Sequence, residues 1–205
     1  MTNSVRVGII GDSISTFEGW IPDGYRRYYP FTGSAGSLTA VEQTWWHRLV
    51  YRLMPDAVLD RNISYTGTRV TKNASPDPEK PDLDEYDFVT RCCGFDDPDI
   101  IIVAGGTNDR PCVTQDLIGE FDYTAPLAEL DRYKFRTAYI CLLRTLMEKY
   151  PDTKLVCVVN DLLLTDTYKV IGESIAEIAA HYELPCAMIG ETLETVGDGV
   201  HPSSA

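Results

Sequence analysis

The sequence predicts an α/β protein in which one parallel sheet is covered by helices on both faces. Two observations carry that expectation. Five short apolar runs alternate with amphipathic segments, and small polar clusters follow four of the five runs. Alternation of this kind resolves into right-handed crossovers around a parallel sheet. Such a sheet binds ligands beyond the carboxyl ends of its strands.

The apolar runs are Val5–Ile10, Ala57–Ile63, Ile100–Ala104, Leu155–Asn160 and Cys186–Ile189, each bounded by turn or polar residues. They read as strands buried on both faces. Helical patterns cover Val41–Met54, Leu83–Cys93, Leu127–Tyr150 and Thr165–Tyr182. In the third, Leu130, Phe135, Ala138, Leu142, Thr145 and Leu146 share one face, and Pro151 ends the helix. No repeat, low-complexity tract or linker divides the 205 residues, so residues 1–205 read as a single domain.

A net charge of −13 argues against nucleic acid and against an anionic membrane surface as partners. Much of that charge sits in Ser75–Asp87 and Asp96–Asp99, which read as solvated loop and helix surface. No segment approaches the roughly 20 apolar residues of a membrane span, and no basic, then apolar, leader opens the chain. The six cysteines lack C-x-x-C spacing, and Cys141, Cys157 and Cys186 lie in apolar surroundings. They read as reduced thiols and point to a cytoplasmic setting. No His/Cys cluster has zinc-ligand spacing, so no metal is expected. The first turn, Gly8 to Ser13, is neither G-x-G-x-x-G nor a P-loop, so no nucleotide or flavin cofactor is expected either.

The clusters after the strands hold the chemistry. "GDS" at Gly11–Ser13 follows the first strand, "NISYTG" at Asn62–Gly67 the second, "GGTND" at Gly105–Asp109 the third and "GDGVHPS" at Gly197–Ser203 the fifth. A serine attacks only when a base takes its proton, and a histidine base needs a carboxylate to hold its tautomer. Of the three histidines only His201 falls at the ligand edge, three residues after Asp198. A turn through Gly199 would fold that acid back onto the ring while the other nitrogen faces Ser13. An acyl-transfer site also needs donors for an oxyanion; the Ser13 and Gly67 backbone amides and the Asn108 side chain qualify. Each feature alone is weak, and their order along the chain makes them specific.

In that order the residues resemble the SGNH hydrolases, also called GDSL-type esterases and lipases. "GDSIS", Gly67, Gly106-Thr107-Asn108-Asp109 and Asp198 to His201 match the four blocks of that superfamily. The resemblance implies a flavodoxin-like three-layer α/β/α sandwich with strand order 2-1-3-4-5. It also implies metal-free ester hydrolysis with Ser13 as nucleophile. "GDSI" replaces the commoner Gly-Asp-Ser-Leu. The helix that usually follows "HP" is not in the sequence, so His201 would take its rigidity from elsewhere, a neighbouring subunit in a homo-oligomer included.

Between the first strand and the first helix lies a long loop rich in aromatics. Trp20, Tyr25, Arg26 and Tyr28 are its candidate substrate contacts, aromatic faces suiting a sugar ring and arginine an acidic group. The other reading is a loop that packs its aromatics inward. With no apolar run of acyl-chain size there, the expected substrate is a carbohydrate or similar polar alcohol bearing a short acyl group such as acetyl. A lipase or thioesterase, and a catalytically silent binding module, are the alternatives. A histidine base predicts activity rising with pH near ~6.5 or somewhat above.

Overall fold

The computed structural model describes residues 4–31, 36–73, 79, 82–160, 165–189, 195 and 198–203. Five strands, β1 (Val5–Gly11), β2 (Ala57–Asn62), β3 (Ile100–Ala104), β4 (Lys154–Asn160) and β5 (Cys186–Ile189), form one parallel sheet in the order β2-β1-β3-β4-β5. The helices are α1 (Trp45–Leu53), α2 (Asp82–Glu85), α3 (Phe88–Arg91), α4 (Pro111–Thr114), α5 (Phe135–Lys149) and α6 (Asp166–His181).

Side-chain alternation along the central strands divides the core in two. Val7, Ile9, Ile102 and Val158 pack against Phe17, Tyr29 and the α1 residues Trp46 and Val50. Ile10, Ile101, Val103, Leu155 and Cys157 pack on the opposite face, against α3, α5 and α6. The chain leaves β1 toward one edge and β3 toward the other. That reversal opens a crevice between the ends of β1 and β3. Ser13 and Asn108 follow those two strands.

The sheet edges differ from expectation. Edge strand β2 is fully buried only at its ends, Ala57 and Asn62, and on the other edge Met188 of β5 is 59% exposed. An edge strand has a neighbour on one side only, and the apolar composition of these runs does not reveal which strand that is.

Three predicted helices begin or break elsewhere, each at a polar residue that competes for the backbone. The Thr44 hydroxyl accepts a hydrogen bond from His47 N, so residues 41–43 form a separate 3₁₀ turn and α1 starts at Trp45. Asp87 accepts from Thr90 N at 2.9 Å and splits 82–91 into α2 and α3. Asp131 accepts from Tyr133 N at 3.0 Å, a local turn that delays α5 to Phe135 and leaves Leu130 extended. Asp87 also corrects the reading of its acidic stretch as solvated surface. It is fully buried and binds Arg132 at 2.6 Å. Positions 75–78, 80 and 81 of that stretch lie outside the described residues.

All six cysteines are free thiols. Among the described residues no helix is long and apolar enough to cross a membrane. The core prediction concerns Leu142, fully buried in α5. Leu142→Ala should lower unfolding free energy by about 2–5 kcal/mol, the range for a large-to-small change in a packed interior, measured by urea denaturation.

Candidate active site

β1 ends at Gly11, and a 3₁₀ turn, Ser13–Ser15, bends the chain sharply. Gly11 is needed there because a Cβ would lie 2.4 Å from Ser15 Oγ. Asp12 caps the turn, its Oδ1 accepting from Ile14 N at 3.1 Å. Burial pushes the Asp12 carboxyl up to about 6, against the opposing effect of the Ile14 hydrogen bond. Asn62 anchors the far side of the turn, donating from Nδ2 to Ser15 O at 2.8 Å.

Ser13 and His201 meet across the whole sequence: Ser13 Oγ lies 2.7 Å from His201 Nε2. His201 Nδ1 lies 2.7 Å from Asp198 Oδ2. A carboxylate can only accept, so Nδ1 carries the proton and Nε2 presents a lone pair to the Ser13 hydroxyl. Asp198 Oδ1 accepts from Val200 N and His201 N, both at 2.9 Å. Burial acts to raise the Asp198 carboxyl, but these bonds and the His201 ring outweigh it and hold the acid at about 2. Burial lowers the His201 imidazole below its usual 6.5, and the Asp198 hydrogen bond offsets only part of that. This corrects the expectation of a midpoint at or above 6.5.

The donors lie on neighbouring loops. Gly67, at φ +81°, and Asn108 both line a cleft of about 590 Å³. Asn108 Nδ2 donates one hydrogen to Thr68 O at 3.0 Å, leaving its second free to point elsewhere. The Ser13 and Gly67 amides donate to no protein acceptor among the described residues. Asp109 locks the two loops together: it accepts from Val70 N at 2.9 Å, Thr71 N at 3.0 Å and Thr71 Oγ1 at 2.7 Å.

The loop residues do something other than line the cleft. The Tyr28 ring stacks flat on His201, with centroids 3.6 Å apart and planes 6° from parallel, and its hydroxyl donates to Asp198 Oδ2 at 3.2 Å. Phe31 stacks at 5.5 Å on Tyr28. Tyr29 donates to Pro202 O at 3.1 Å. Tyr25 packs against the stacked pair of Tyr65 and Tyr86, while Arg26 pairs with Asp82 at 3.0 Å and Arg27 with Glu18 at 3.0 Å. Trp20 lies over Trp46 and His47 at α1, in a separate hollow that none of the other candidate site residues lines. The loop therefore packs inward and props up His201, the second of the two readings. Tyr25, Tyr28 and Tyr29 turn their rings to partners inside the chain, whereas Trp20 and Phe31 are each 41% exposed.

Two buried residues carry roles that the sequence did not assign them. Arg91, 5% exposed, donates from Nε to Ile63 O at 2.9 Å, from Nη2 to Gly11 O at 2.7 Å, and from Nη1 to Tyr86 O. It thus ties the ends of β1 and β2 beneath the serine. Burial lowers its guanidinium to about 10, so it stays charged at neutral pH. Asp109 was visible only as the last letter of a motif.

A serine, a neutral histidine and a carboxylate in series, at the switch point of a doubly wound sheet, define a hydrolase that works by nucleophilic attack. The chain belongs to the GDSL-like lipase/acylhydrolase family, whose profile matches residues 5–205. A protein classed as a GDSL-like lipase from Bacteroides uniformis ATCC 8492 is 31% identical, with a TM-score of 0.81 over 98% of this chain and 89% of that one. Its counterpart from Bacteroides ovatus ATCC 8483 is 29% identical, with a TM-score of 0.80 over 98% and 91%. A carbohydrate acetylesterase from Sinorhizobium meliloti shares the fold at 17% identity, with a TM-score of 0.65 over 98% and 92%. No curated protein matches the sequence.

The protein is accordingly an ester hydrolase. Two outcomes follow from the geometry. Because an imidazole must be neutral to accept a proton, kcat/KM should fall as pH drops through a single midpoint below ~6.5, read from a pH profile with p-nitrophenyl acetate. Tyr28→Ala should uncover one face of the ring, relieve its burial and move that midpoint back toward 6.5. Tyr28→Phe, which keeps the stack and loses one hydrogen bond, should cost roughly tenfold or less in kcat/KM.

Proposed function

We propose that the protein removes a short acyl group, acetyl first, from a carbohydrate or similar polar alcohol, with Ser13 as nucleophile. The observation that carries the serine mechanism is the unbroken series Ser13 Oγ, His201 and Asp198, with both links at 2.7 Å. Ser13 attacks the ester carbonyl while His201 Nε2 takes its proton, and Asp198 stabilises the imidazolium that forms. The amides of Ser13 and Gly67 and the free Asn108 hydrogen stabilise the oxyanion. His201 then protonates the leaving alcohol, and water repeats the sequence on the acyl-serine.

The polar substrate rests on the cleft itself, lined by Thr107, Asn108, Thr165 and two arginines beside Gly67. That a carbohydrate acetylesterase carries the same fold makes acetylated sugars the first compounds to try. A second reading, hydrolysis of longer acyl chains, draws on an apolar groove of about 410 Å³ between Val159, Tyr168 and Met188, which shares Thr165 with the polar cleft.

Ser13→Ala should reduce p-nitrophenyl acetate turnover by at least about 10³-fold while leaving circular dichroism unchanged. Retention of activity in that variant would contradict the assignment of the nucleophile. Across p-nitrophenyl esters of two, four and eight carbons, kcat/KM should fall with length; a rise would favour the apolar groove.

A further inference from the structure

The cleft beside Gly67 and Asn108 carries positive charge in a chain whose net charge is −13. Arg69 and Arg110 both line it, and among the described residues no aspartate or glutamate does. Neither arginine forms an ion pair among those residues, whereas Arg26, Arg27 and Arg132 nearby all do. In so acidic a protein a carboxylate is easily placed beside an arginine. Two half-buried arginines with no ion pair among the described residues, both lining the same hollow, are available to a ligand.

Their mounting supports this. Arg110 donates from Nε to Thr107 O at 3.1 Å, which fixes the fork and leaves its two terminal nitrogens without a hydrogen-bond partner among the described residues. Arg69 approaches Asn73 Oδ1 at 3.5 Å from one terminal nitrogen. Arg69 exerts a weak pull on the buried Asp109, but that carboxylate is already occupied by Val70 and Thr71 and forms no ion pair with it. Arginine forks match planar carboxylates and phosphates, and partial burial strengthens the pairing relative to open water.

We propose that Arg69 and Arg110 form an anion subsite, so that the preferred substrate is an acylated polar alcohol that also bears a carboxylate or a phosphate. The proposal rests on the reading of the Ser13 site as an esterase for polar alcohols, because an acetyl group carries no charge and the anion must then sit on the alcohol. It supplies what the sequence assigned to Arg26, whose guanidinium is held by Asp82.

Equilibrium binding separates this proposal from the hydrolysis reading. Glucose, glucuronate and glucose 6-phosphate would be titrated against the wild-type chain by ligand-observed NMR. One or both anionic sugars should bind at least about tenfold more tightly than glucose, and the margin should shrink with added salt. The carboxylate and phosphate arms tell which anion the fork accepts. Arg69→Gln and Arg110→Gln should each lower the ratio severalfold, and the double variant should bring it near one. The ratio is insensitive to any misfolded fraction, which binds neither sugar. Equal binding of all three sugars by the wild type would overturn the proposal. So would a ratio that survives in the double variant, because the anion would then be held elsewhere. A chain that shows the ratio but releases no acetate from acetylated sugars keeps the subsite and contradicts the hydrolysis reading.

Discussion

The hydrogen bond between Ser13 Oγ and His201 Nε2 joins residues 188 positions apart. Neither group is reactive alone: the hydroxyl is too weakly acidic, and the imidazole needs its proton fixed on Nδ1. The sheet order, the turn after β1 and the packing of the opening loop on His201 together hold these two atoms at 2.7 Å. The parallel sheet brings the start of the chain into its centre, since β1 lies between β2 and β3. The strand order then leaves a crevice beside the end of β1, where a sharp turn lifts Ser13 out of the sheet. His201 reaches the same place from the far end of the chain, on a loop rather than a helix.

A loop is a poor mount for a base that must not drift, and this chain compensates with aromatic packing. Tyr28 covers one face of the His201 ring and hydrogen-bonds the acid that orients it, and Tyr29 holds Pro202. The same contacts desolvate the imidazole, which lowers its affinity for a proton. Positioning and proton affinity are therefore set by the same side chains. Thr16 connects this support back to the nucleophile, accepting from Tyr28 N at 2.8 Å and donating to Ser13 O at 3.0 Å. The opening loop and the closing loop form one assembly around the serine. Beneath them a buried cation, Arg91, and a buried acid, Asp109, take up backbone groups that the strand ends leave without partners. Ion and hydrogen bonds replace ladder contacts where the sheet gives way to the site.

Much of this was legible in the sequence, and what was not has a physical cause. Strand positions follow from short apolar runs, and the order of small polar clusters after them brought Ser13, Gly67, Asn108, Asp198 and His201 onto one edge. Helix ends were misread where one side chain captured the backbone: Thr44, Asp87 and Asp131 each look like ordinary surface residues in a helical pattern. Tyr28 illustrates the harder limit. Its aromatic ring and polar tip fit a sugar as well as a histidine, and only the three-dimensional neighbourhood separates the two. Arg91 gave no signal at all, because its burial depends on the carbonyls of Gly11 and Ile63, contributed by two remote strand ends, as well as on that of Tyr86 nearby. Arg69 and Arg110 were hidden for the opposite reason: what distinguishes them is the lack of an ion pair among the described residues, a property of the fold alone.

The central claim is that His201 activates Ser13, and covalent trapping tests it most directly. Incubation with diisopropyl fluorophosphate followed by peptide mass spectrometry should place a single adduct per chain on Ser13. His201→Ala should slow its formation by orders of magnitude, since a serine without its base is hardly nucleophilic. An adduct on another residue, or equal labelling rates in the presence and absence of the imidazole, would contradict the account.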